Sequence, residues 1–141
     1  MAKVPAQSAE LVALLEAQRE DYQAMYAAGL AQRESLARDD MSGVHAALAR
    51  ANALMGRIRL RQARLPANLG SNSEPDVGER TRALRDAILR VERLRQSNED
   101  AVRLQLQETR DEIRRSGRGR KVARGYRGRQ VEGARFFDRR R

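Results

Sequence analysis

"VHAALARANALMGRIRLRQARL", residues 44–65, decides the fold of this 141-residue chain. Val44, Leu48, Ala51, Met55, Ile58, Gln62 and Leu65 follow one another at steps of 4-3-4-3-4-3. Steps of three and four put side chains on one face of an α-helix. Their strict alternation makes a narrow seam, which suits one long helix packing on another. The spacing predicts a helix over about 41–65.

Upstream, Leu11, Leu15, Tyr22, Met25, Tyr26, Leu30 and Leu36 fall mainly at spacings of three, four and seven. They predict a first helix over about 8–38, with Ser8 as N-cap and Glu10 in the first turn. "LARDDMSG", residues 36–43, ends it, and Asp39, Asp40 or Ser42 can cap the next helix. A link this short predicts an antiparallel hairpin.

Downstream, "LPANLGSNSEPD", residues 65–76, breaks the pattern with two prolines, a glycine, two asparagines and two serines, and reads as a loop. A third helix is expected over about 76–115. Ser73 would be its N-cap, Pro75 would sit early in the first turn, and Asp76 would complete a capping box. Leu84, Ile88 and Val91 form a first apolar face. "RQSNED", residues 95–100, is fully polar, and a second stripe follows at Val102, Leu106, Thr109 and Ile113. Ser116 and Gly117 are the expected stop.

At 1.5 Å per residue the third helix would run about 60 Å and the second about 37 Å. An overhanging helix leaves its second stripe uncovered, and an uncovered apolar stripe marks a partner site. Two other fates compete. The helix bends at 95–100 and folds back on the hairpin, or a homodimer buries the stripe.

The net charge of +10 is concentrated at one end. Residues 116–141 carry ten basic residues against Glu132 and Asp138, whereas residues 1–115 carry 19 basic and 17 acidic residues. The fold class expected is therefore all-α. A bundle over 1–115, made of a helix hairpin plus a long third helix, carries a basic, flexible tail over 116–141. Repeated glycines and like-charge repulsion argue against order in the tail. Yet Tyr126, Phe136 and Phe137 are three of the chain's five aromatics, and they read as docking residues.

Little points to catalysis. There is no cysteine, and the one histidine, His45, lies early in the second helix with only Asp39 and Asp40 nearby in sequence. That is no zinc set. No phosphate-binding glycine loop, nucleophile elbow or metalloprotease motif occurs. No enzyme activity, metal or cofactor is expected. With no signal-like apolar segment and no run approaching a membrane span, a soluble cytoplasmic chain is the expectation.

Arginine-glycine stretches with an interleaved tyrosine also bind phosphates and stack on bases. Arg118, Arg120, Lys121, Arg124, Arg127 and Arg129 would make such contacts, so a nucleic-acid-binding helical protein is one alternative. It lacks a groove-reading module. A coiled-coil scaffold or subunit that buries the second stripe permanently is another.

The chain resembles the FlgN-like flagellar export chaperones. The resemblance rests on "LVALLEAQREDYQAMYAAGLAQRESLARDD", a short acidic link, "VHAALARANALMGRIRLRQ", a loop, a long C-terminal helix, and the ending "GARFFDRRR". It implies a cytoplasmic chaperone of hook-associated (hook-filament junction) proteins. Such a chaperone holds the helical C-terminal region of its cargo on its own last helix and delivers it to the flagellar type III export apparatus. The matching surface here is Val102, Leu106, Thr109 and Ile113. Docking on the export gate would fall to Tyr126.

Overall fold

The computed structural model describes residues 6–127, and all regular structure among them is helical. The elements are α1 (Ala6–Ala37), α2 (Met41–Gln62), a 3-10 turn at Leu69–Ser71, and α3 (Pro75–Arg127). The chain divides into two units, residues 1–100 and 101–141.

The first unit is a three-helix bundle, as the hydrophobic spacing predicts. α2 runs antiparallel to α1, since Gln18 meets Ile58 and Gln62 while Asp21 meets Arg57 and Arg61. α3 returns parallel to α1. Near its start Arg80 pairs with Glu16 at 3.0 Å, and further along Asn98 Nδ2 donates to the Gly29 carbonyl at 2.9 Å.

The hairpin turn is built by two adjacent aspartates. Asp39 takes a left-handed backbone (φ 60°), a conformation that short polar side chains tolerate better than most, and this reverses the chain after α1. Asp40 then caps α2, its carboxylate accepting the Gly43 N–H at 3.0 Å. A Cβ at Gly43 would overlap Ser35 Oγ and the Asp40 carboxylate, so a larger residue there would have to push both aside.

Two apolar clusters stack along the first unit. Leu15, Leu65, Val77 and Leu84 form one, with Leu11, Tyr22, Leu69 and Ile88 against it. Met25, Leu54, Ile58 and Val91 form the other. Each large side chain so buried is worth about 1.5–3 kcal/mol.

The seam of α2 differs from the one expected. Val44, Ala47, Leu54 and Ile58 are buried, whereas Leu48 is exposed and Met55 is half-buried. The helix is apolar nearly all round between Val44 and Met55, so two stripes were available. Arg57 and Arg61 decide between them. Both must turn toward the buried Asp21 of α1, and that rotates Ala47 and Leu54 inward.

α3 starts at Pro75, whose fixed φ suits the first helical position and whose missing N–H costs nothing there. Ser73 is therefore not the residue that caps it. The approach is held instead by Asn72 Oδ1, which accepts the Glu74 N–H at 2.8 Å, and by the Glu74 carbonyl, which accepts the Gly78 N–H at 2.9 Å.

At 95–100, where a bend was considered, α3 is unbroken. Within the polar segment, Ser97 and Asn98 face α1. Asn98 is buried against Gly29, Ser97 accepts a hydrogen bond from Arg33, and Arg95 bridges Glu92 and Glu99.

Nor does the helix stop at Ser116–Gly117; it runs to Arg127. A helical glycine costs about 1 kcal/mol against alanine. The neighbouring arginines, lysine and alanine are good helix formers, and the helix passes through. Residues 116–127, expected to be flexible tail, are thus helical. Phe136, Phe137 and Arg129 lie outside the described residues.

Candidate partner-binding face

The second unit, as described, is the part of α3 from Ala101 onward. None of the side chains at 101–118 is buried. At 100° per residue Val102, Leu106, Thr109 and Ile113 fall within one narrow sector of the helix. Val102 is half-buried, Leu106 is 51% exposed and Ile113 is 60% exposed. Thr109 sends its hydroxyl back to the Gln105 carbonyl at 2.9 Å, which satisfies that polar group inside the helix. The four residues read from the sequence thus share one face.

Periodicity missed Leu104. It is 61% exposed, but it lies two residues before Leu106 and hence on the opposite side of the helix. The backbone at Arg120, Lys121, Arg124, Tyr126 and Arg127 is helical. Arg118 is exposed on the same helix.

A second polar constellation lies within the first unit, and no sequence signal pointed to it. Gln18 is fully buried. Its Nε2 donates to the Ile58 carbonyl at 3.1 Å, and its Oε1 accepts from Arg61 at 2.9 Å. Arg61 also meets Asp21 at 2.7 Å, and Arg57 pairs with the other Asp21 oxygen. Burial alone would push the Asp21 carboxyl up. Hydrogen bonds and charge from Arg61 and Arg57 outweigh it and hold the pKa below the usual carboxylate value. All the members are paired within the network, so it is a packing device that registers α1 against α2.

Between α1 and α3, Arg90 sits 4.6 Å over the Tyr26 ring. The groove beside it is lined by exposed Arg19, Gln23 and Asp86 together with half-buried Tyr22. Burial, and to a lesser degree Glu92, raise the Tyr22 pKa. His45 is exposed in the first turn of α2. Among the described residues, no group of three or more His, Cys, Asp or Glu could hold a metal ion. No described helix is long and apolar enough to cross a membrane.

Of the large apolar side chains exposed on the second unit, Leu106 and Ile113 share the stripe and Leu104 stands apart. Comparison of this chain with protein-family models, curated proteins and solved structures finds no match.

Proposed function

We propose that this chain is a non-enzymatic chaperone that captures an amphipathic helix on the α3 face formed by Val102, Leu106, Thr109 and Ile113. The observation that carries this reading is the exposure of Leu106 and Ile113 on one face of a continuous helix. An apolar helix face binds a partner helix through anchors spaced by threes and fours, and 102, 106, 109 and 113 stand at i, i+4, i+7 and i+11. Covering two such side chains supplies a few kcal/mol with no cofactor or nucleotide.

The resemblance to the FlgN-like family supplies the cargo. The partner is the helical C-terminal region of flagellar hook-associated proteins, held in the cytoplasm and handed to the type III export apparatus. Capture keeps the cargo's own apolar helix covered until export.

The test is co-purification with a hook-associated protein. Val102→Asp combined with Leu106→Asp should abolish capture while circular dichroism stays unchanged. Undiminished capture by that variant would remove the reading.

A further inference from the structure

The face that takes the partner is not electrically symmetric. At 100° per residue, Arg103, Arg110 and Arg114 follow one edge of the stripe at steps of seven and four, while Arg118 falls on the far side of the helix. The other edge carries Gln105, Glu112 and Ser116. Glu108 lies beyond Glu112 on that same side, about as far round as Arg114 is on its own, and Asp111 lies on the far side of the helix. Arg110 and Arg114 are exposed, and among the described residues neither is held in an ion pair. A helix docked on Leu106 and Ile113 would bring its own edge residues against this row.

That geometry selects among occupants. In an antiparallel two-fold pair, each edge faces its own copy, so the arginine row would oppose itself. In a parallel pair the row would meet the edge that carries Glu112 and, further round, Glu108. An antiparallel second copy of this chain is thus a poor fit. A helix whose flank bears Glu or Asp places opposite charges along the whole row.

Resting on the chaperone reading of the same face, we propose that the partner is an amphipathic helix with an acidic edge, seated against Arg110 and Arg114. Apolar contact supplies the affinity. The charged edge chooses the partner and its orientation, as edge charges do in paired helices.

The experiment uses the full chain and two synthetic helical peptides of about four heptads, with identical leucine faces. One peptide carries glutamates along both flanks, the other lysines. Fluorescence anisotropy should show the glutamate peptide binding about tenfold tighter, the scale expected of a few solvent-exposed ion pairs acting together. The preference should shrink as salt rises.

Arg110→Glu with Arg114→Glu should reverse the preference while every other arginine of the chain stays in place. Equal affinity for the two peptides, or a glutamate preference that survives the double reversal, would overturn the proposal; in the second case the attraction comes from elsewhere in the basic chain. The underlying reading is separated by a third variant. If Leu106→Asp with Ile113→Asp leaves peptide binding intact, the face itself is wrong and both readings fall. If it abolishes binding but the charge reversal changes nothing, only the acidic-edge proposal falls. A dimer by light scattering that Ile113→Asp dissociates would also overturn it, in favour of a second copy.

Discussion

Asp21 shows how one residue can orient a helix. Its carboxylate is nearly inaccessible, yet it is ionised because Arg57 and Arg61 reach it from α2. Arg57 keeps its head largely in water, so the pair is worth less than a fully buried one. Asp21→Asn should cost about 1–3 kcal/mol in urea unfolding at neutral pH, chiefly because Arg61 loses its partner.

The pH dependence has a definite sign. A carboxyl whose folded pKa is depressed adds stability above its unfolded pKa of about 4. That stability is lost as pH falls through the lower folded value. Between about pH 5 and pH 2 the native chain should therefore lose more stability than Asp21→Asn does. Parallel losses would show that Asp21 is not a principal acid-sensitive group. Asn98 makes a similar point with less satisfaction. Its amide nitrogen reaches Gly29, while its buried Oδ1 has no partner.

At the level of elements, α3 runs through two segments whose composition spoke against it. Residues 95–100 are polar and mostly exposed, but Gly29 lets α1 come close enough for Leu94 and Asn98 to lie against it. Gly117 has open space around it. Gly117→Ala should therefore meet no clash and stabilise this part of α3 by about 0.5–1 kcal/mol through helix propensity and a stiffer unfolded chain. Helical ellipticity should rise measurably. Unchanged or reduced ellipticity would mean that the glycine is needed in a non-helical conformation.

For the whole molecule, the buried core and the proposed recognition face lie in different stretches of the chain. Leu54 belongs to the core cluster with Met25, Ile58 and Val91, so Leu54→Ala should cost about 2–5 kcal/mol. Leu106 is half in solvent, and Leu106→Ala should change the unfolding free energy by no more than about 0.5 kcal/mol. Partner capture should respond in the opposite order, with Leu106→Ala the more damaging at concentrations where both variants are folded. Chemical denaturation paired with a binding titration measures both.

The helices, their order, the hairpin and the stripe at 102–113 were legible in the sequence. Helical periodicity is a local property of the chain, and Leu65–Asp76 is rich in residues that break it. The rotation of α2 was not legible. Leu48 and Met55 fit a helix stripe as well as Ala47 and Leu54 do, and only the demand of a buried Asp21 on another helix chose between them. The helical reach to Arg127 also escaped local rules, since a glycine penalty of about 1 kcal/mol is small enough to be offset along a long helix. The sequence by itself determined which segments are helical and where an apolar face recurs, because both depend on neighbours three and four residues away. Only the tertiary structure decided which faces meet, because that depends on charge and volume brought together from residues some 40 to 70 positions apart.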